Sequence, residues 1–317
     1  MSELAIERML AGVATRLQRL VAELIGEDVE QAAFGDSRSS VSRRFVQATK
    51  ARVDELVQRD LADLDVAVLM VDGIVFHDCC CVVALVITTD GTKVPVGLWD
   101  GDTESTVVVR DLLARGLRFE QGILCVLDGG KALAAGVKRV FGKYALIQRC
   151  TLRKRRNVGD DLGRVTDRQL KKAFNDEDAA RGLRVVKDIA TRLEADHPSA
   201  AASLREGLEE LFTLRRTRVR DLLSRTRCST NCIESMISVC EEPSRRVKRW
   251  RDTTMVRRWV GTGMLEAERS FRRVKGDKQM LVLVAAVRKE VASCLTDDER
   301  EQLKRSDTPT EYDQAVA

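Results

Sequence analysis

The chain has 317 residues, of which 44% are hydrophobic, 32% charged and 4% aromatic; this excludes a disordered or fibrous polymer and fits a helix-rich folded protein of one large or two modest domains. No apolar run is long enough to cross a membrane, and the start of the chain, with Glu3 and Glu7, carries no signal-peptide pattern, so an intracellular protein with no membrane partner is expected. The net charge of +5 excludes little by itself, but 13 Lys/Arg against 5 Asp/Glu lie between Arg215 and Arg258, and a concentrated basic stretch is an electrostatic footprint for phosphate groups.

In chain order, Leu10, Val13, Leu17, Leu20 and Leu24 recur at helical spacing. Gly35-Asp36-Ser37 breaks that helix. Ser39 or Ser40 is placed to cap a second one reaching about Leu61, with Val41, Phe45 and Val53 on one side. Two readings stay open for this pair: a fragment of a helix-turn-helix, or a plain helical hairpin.

From Val66 the period changes. Val66 to Val71 is a continuous apolar run, as in a strand buried on both faces. Cys79 to Thr88 and Lys93 to Leu98 read as two more strands, joined by Thr89-Asp90-Gly91-Thr92, where Asp-Gly suits a type I′ turn. The adjacent Cys79, Cys80 and Cys81 read as small buried hydrophobes in a reducing compartment. A helix over Thr103 to Arg115 follows, then a strand over Gly122 to Leu127, a helix over Lys131 to Phe141 and a short strand over Tyr144 to Gln148. The order β, β, β, α, β, α, β predicts a mixed five-stranded sheet with flanking helices, an α/β fold of ribonuclease-H-like order. Beyond it, Glu177 to Asp196 and a second helix through Ala201, Leu204, Leu208 and Leu211 predict an all-helical stretch, broken at His197-Pro198. The remainder reads as helix, with a disordered tail.

Two acids sit at matching places. Asp72 follows the first apolar strand and Asp128 the fourth, and in open α/β sheets ligands gather at the carboxyl ends of strands. Each also sits in an Asp-Gly pair, which is turn chemistry; for Asp72 that reading is a tight hairpin between Val71 and Ile74. Glu234 lies in Ser229-Thr230-Asn231-Cys232-Ile233-Glu234, beside a helix face of Ile233, Ile237 and Cys240 bounded by Pro243. There Asn231 and Glu234 have the spacing of a capping box, while the basic flanks suit a site holding phosphate and metal together. Only two histidines are present, and no Cys/His spacing fits zinc, so any metal is expected on oxygen ligands. Carboxylates gathered around two Mg²⁺ (or Mn²⁺) ions ~3.5–4 Å apart are suited to phosphodiester chemistry.

Several blocks occur together: Val71-Asp72-Gly73-Ile74; Val96-Gly97-Leu98-Trp99 with Glu104; Arg110 to Leu117; Leu127-Asp128-Gly129; Gln148-Arg149-Cys150; Arg156-Asn157-Val158; the segment ending in Glu234; Arg258-Trp259; and Phe271-Arg272-Arg273. In this order they resemble the Mutator-type transposases of bacterial insertion sequences, a branch of the DDE superfamily. The resemblance implies an acidic triad of Asp72, Asp128 and Glu234 that binds metal and cleaves double-stranded DNA at terminal inverted repeats. It further implies 3′-OH strand transfer into target DNA. A homodimer or higher synaptic assembly and a cytoplasmic, nucleoid-associated location also follow. Implied with the motifs are Trp99, Cys150, Asn157 and Asn231. Two departures stand out. Arg153 replaces the histidine of the family's Cys-x-x-His, which favours a packed core thiol for Cys150. The stretch before Asp72 is shorter than usual, so part of the repeat-binding region is expected to be missing. A catalytically inactive DNA-binding remnant and a nuclease of the same fold therefore remain alternatives.

The expected division is 1–63 as a helical N-terminal segment with the candidate helix-turn-helix, 64–159 and 224–300 as the catalytic domain, 160–223 as a helical insertion, and 301–317 as a disordered tail. The basic residues expected on DNA are Arg153, Lys154, Arg155, Arg156, Arg225, Arg227, Arg245, Arg246, Lys248 and Arg249. Trp250 and Trp259, interleaved with such residues, are expected to pack rather than stack on bases. Trp99 is expected to pack, and His77 to make a structural hydrogen bond.

Overall fold

Residues 66–71 contain no polar side chain, and they form the centre of a five-stranded sheet in the computed structural model, which describes residues 38–159, 163–217, 231–245, 247 and 249–306. The helix expected over Leu10 to Leu24, the Gly35 break, Arg225, Arg227, Arg246, Lys248 and the last residues of the tail lie outside these. Strands β1 (Val66–Phe76), β2 (Cys79–Thr88) and β3 (Lys93–Asp100) form an antiparallel meander. Strands β4 (Ile123–Leu127) and β5 (Ala145–Arg149) add in parallel on the other side of β1, giving the order β3-β2-β1-β4-β5. This is a ribonuclease-H-like mixed sheet.

Alternation along β1 and β4 sends successive side chains to opposite faces. Val68, Met70, Leu124 and Val126 join one core; Leu69, Val71, Cys125 and Leu127 join another. Helices α2 (Ser105–Ala114) and α3 (Lys131–Phe141) cover the second. The first is covered by α9 (Asn231–Ser244), α10 (Thr253–Ser270) and α11 (Met280–Cys294), through Ile233, Met236, Val260, Met264, Leu283 and Val287 among others. A third core joins α4 (Thr151–Gly159), α5 (Arg164–Phe174), α6 (Ala179–Leu193) and α7 (Pro198–Arg205) through Val158, Leu170, Phe174, Val186, Ile189, Leu204 and Phe212. Through Val158, α4 belongs to this helical unit as well as to the sheet it follows.

Helix α1 (Arg38–Gln58) packs on α10 and β3. Phe45 meets Trp259 at 5.4 Å between ring centroids. Just after the helix, Arg59 makes a two-pronged pair with Glu268, at 2.7 and 2.9 Å. One face of this helix, left open above between a helix-turn-helix fragment and a plain hairpin, is thus spent on packing against α10 and β3.

The chain departs from expectation at several points. β1 does not stop at Val71: β2 supplies partners as far as Phe76↔Cys79, and the hairpin turns at His77-Asp78, with His77 at φ 52°. No hairpin closes at Asp72. His77 instead stacks on Trp250, with centroids 4.5 Å apart. At Asp90-Gly91 the turn is not type I′, because only Gly91 has a positive φ, of 86°; the Gly91 amide donates to Thr88 O, as in a type I turn closed by a glycine bulge. Cys80 is exposed and Cys79 half-buried, since both lie at the hairpin end of β2, past its last β3 rung at Cys81. Pro243 does not end α9, which runs on to Ser244. The second insertion helix ends at Arg205, and a turn at Gly207 (φ 61°) carries Leu208 and Leu211 into the same core from a 3₁₀ turn (Glu209–Phe212) that leads into α8 (Thr213–Arg216). The expected disordered tail begins inside α12 (Asp297–Ser306).

Candidate active site

Parallel pairing of β1 with β4 ends at Val71↔Leu127. Asp72 and Asp128 are therefore the first residues beyond the last shared rung. Both follow the even-numbered residues that face the α9 side, so the pleat brings the two carboxylates together there. Asp72 is fully buried, and it remains inside the β1–β2 ladder opposite Val83. Asp128 retains some of its turn chemistry: Oδ1 accepts from the Gly130 amide at 2.8 Å, leaving Oδ2 for the site.

The end of β5 delivers a cation to this pair. The buried Cys150 extends the sheet by one bond, its amide donating to Leu127 O at 2.8 Å. Helix α4 begins at the next residue, and the Cys150 sulfur accepts from the Arg153 amide at 3.4 Å. The first turn of α4 then projects Arg153 between the two acids. Its Nη2 lies 3.0 Å from Asp72 Oδ1 and its Nη1 3.6 Å from Asp128 Oδ2. Nη2 also lies 3.4 Å from Gly73 O.

Glu234 approaches from the first turn of α9, whose other faces bury Cys232, Ile233, Met236 and Ile237. Its Oε1 accepts from Arg156 Nη1 at 2.7 Å. Asp72, Gly73, Ile74, Arg153, Glu234, Ser238 and Glu241 line one open cavity of about 380 Å³. Among the described residues, however, no three His, Cys, Asp or Glu side chains gather closely enough to hold one metal ion. Asp72 and Asp128 bracket a guanidinium, and Glu234 is turned to another. A divalent cation suits this place in its donor chemistry: the acids present hard oxygens, and the gap between the aspartates already accommodates positive charge.

The basic run on α4 is not one patch. Consecutive helical residues point about 100° apart, so four in a row circle the helix. Arg153 faces the acids. Lys154 is buried, its ammonium donating to Ser203 O at 2.7 Å and Glu206 O at 3.1 Å, and its pKa is lowered first by burial. That corrects the expectation of a phosphate contact, since this amine is enclosed by the helical unit. Arg155 is fully engaged with Asp167 at 2.9 and 2.7 Å. Arg156 is largely exposed beside Glu234. Asn157, Asn231, Arg245 and Arg249 are exposed as well. Trp99 packs over Gly97 and lies 6.0 Å from the Arg115 guanidinium, and Trp250 and Trp259 pack edge to face at 6.2 Å.

Arg149, at the end of β5, is buried. It donates from Nη1 to Gly129 O at 2.7 Å and to Glu206 Oε1 at 3.1 Å, and from Nε to Glu210 Oε2 at 2.5 Å. It thus ties the loop after Asp128 to the helical unit. Lys138 pairs with Glu210 from outside. Burial pushes the Glu210 pKa up, but hydrogen bonds from Lys138 and Arg149 outweigh it and hold the carboxyl below its usual range. A detectable signal was present: an arginine closing a short strand, and glutamates on both sides of Gly207.

A family model described as "Transposase, Mutator family" matches residues 1–273. Among curated proteins, the transposase for insertion sequence element IS6120 of Mycolicibacterium smegmatis is 29% identical over 168 residues, covering 49% of this chain and 51% of that protein. The match thus spans about half the length of that relative. No described helix is long and apolar enough to cross a membrane.

Proposed function

We propose, from the premise that this chain belongs to the Mutator family of transposases, that it cleaves double-stranded DNA at the terminal inverted repeats of an insertion sequence and joins the 3′ ends to target DNA. The observation that carries this reading is the placement of Asp72 and Asp128 one step beyond the last β1–β4 rung, with Glu234 lining the same cavity as Asp72. Asp72 and Asp128 would hold the divalent ion, with Glu234 completing the set. Mg²⁺ or Mn²⁺, two ions in all, would supply Lewis-acid stabilisation of the attacking and leaving oxygens.

The protein's own part is positioning. The sheet fixes Asp72 through its rungs, and Arg149 fixes the Asp128 loop through Gly129 O. Arg156, beside Glu234, and the exposed Arg245 and Arg249 offer cations to the phosphate backbone. A homodimeric or larger synaptic assembly, and a nucleoid-associated location in the cytoplasm, belong to the same reading.

The test is a strand-transfer assay with labelled repeat ends and Mg²⁺ or Mn²⁺. Joined product supports the reading. Cleavage without joining favours a nuclease, and binding without cleavage a DNA-binding remnant. Asp128→Asn is expected to abolish joining, a loss of about three orders of magnitude or more for several kcal/mol of transition-state stabilisation, while DNA binding persists.

A further inference from the structure

We infer that Arg153 is an internal counter-ion that competes with the divalent metal for Asp72 and Asp128, so that metal enters only as this guanidinium leaves. The inference rests on the metal-site reading above and deepens it. Its basis is geometric. The two nitrogens of one guanidinium fork reach two different carboxylates, at 3.0 and 3.6 Å, and one of those carboxylates belongs to a side chain with no exposure at all. Two acids at adjacent strand ends repel unless a cation lies between them, and here the chain supplies one from its own helix. The guanidinium fills the gap between the two carboxylates, so an ion can take that place only after the side chain has moved.

Such movement has somewhere to go. The Arg153 side chain is 35% exposed, and it lines the open cavity together with Glu234 and Glu241. Turned outward, the fork lies where a DNA phosphate would approach the acids, and bidentate phosphate recognition is what a guanidinium does well. One residue therefore neutralises the aspartates before metal arrives and contacts substrate afterwards. The Arg153 pair also explains how the buried Asp72 carboxylate is tolerated, since an uncompensated buried charge is strongly destabilising.

The experiment measures Mn²⁺ binding to the full chain by titration calorimetry and by loss of the free-ion paramagnetic signal, together with thermal melting with and without Mn²⁺. Arg153→Gln is expected to bind Mn²⁺ tighter by about tenfold or more, a gain of about 1.4 kcal/mol. It should also melt lower without metal and gain more from it, because a ligand bound only by the folded state stabilises in proportion to its affinity. Arg153→Lys keeps the charge but cannot bridge both acids, and its affinity should fall between the two; it also serves if the glutamine variant fails to fold without metal. Equal affinity in wild type, Arg153→Gln and Arg153→Lys, or weaker binding in the variants, overturns the inference. Asp128→Asn separates the layers: if it leaves Mn²⁺ binding intact, the acids are not the metal site, and the functional reading fails with the inference.

Discussion

Two arginines stand four positions apart on either side of the β5–α4 junction, and both bind carboxylates, yet they do different work. Behind the Asp128 loop, Arg149 is buried with its donors divided among Gly129 O, Glu206 and Glu210. The turn at Gly207 presses against its guanidinium so closely that a side chain there would collide with it. In front of the loop, Arg153 is a third exposed, one of its contacts is 3.6 Å, and it borders a cavity. An ion pair becomes structure where water is excluded and every donor has a fixed acceptor. Where a cavity adjoins it and the geometry is incomplete, the same chemistry leaves an exchangeable contact.

The sharpest way to break this comparison is at Arg149. Arg149→Met removes the central charge while keeping length and apolar stem. Glu206 and Glu210 would keep ion pairs to Lys131 and Lys138, whose side chains are largely exposed. A loss of about 3 kcal/mol in unfolding free energy is expected, as for removal of one partner from a buried pair, read from urea denaturation. A loss under about 1 kcal/mol would place Arg149 with the surface pairs and erase the distinction from Arg153.

Much of the sheet was legible in the sequence because it rests on local signals. The unbroken apolar runs of β1 and β4, the helix over Lys131 to Phe141 and the strand limits of β2 match expectation. Asp72 and Asp128 stand out in the sequence for the same reason, as acids directly after apolar runs. What escaped depends on partners distant in the chain. β1 runs past Asp72 because β2 pairs with it, not because of its own composition. Lys154 is buried because α4 lies between the sheet and the helical unit, which no local pattern reveals. Arg149 and its glutamates are some sixty residues apart, and each alone reads as an ordinary charged residue. The four basic residues of α4, all expected on DNA, point in different directions because the helix turns between them.

A gentler probe of the rear cluster is pH. The Glu210 carboxyl titrates below its ordinary value of 4.5 in the folded chain, so the unfolded chain binds the extra proton first as the medium acidifies. Stability contributed by Glu210 is then complete above the ordinary value, and it disappears as pH falls through the depressed one. Urea midpoints across that acidic range should decline less steeply in Glu210→Gln than in wild type. Parallel declines would mean that the cluster does not hold the carboxylate ionised.

The smallest expected effect lies at the other end of α4. Arg156 is 62% exposed and Glu234 35% exposed, although their contact is short at 2.7 Å. Exposed pairs of this kind contribute about 0–1 kcal/mol, because water solvates both partners in either state and two long side chains lose rotamer freedom. Arg156→Gln should therefore shift thermal stability barely at all. Its consequence belongs to binding: a free Glu234 would turn toward Asp72 without first losing a partner, while the DNA backbone would lose one cation. Affinity for repeat DNA is expected to fall modestly and its salt dependence to become shallower by about one counterion. A marked loss of stability instead would show that the pair holds α9 against α4, and would move Glu234 from the exchangeable front of the molecule to its fixed interior.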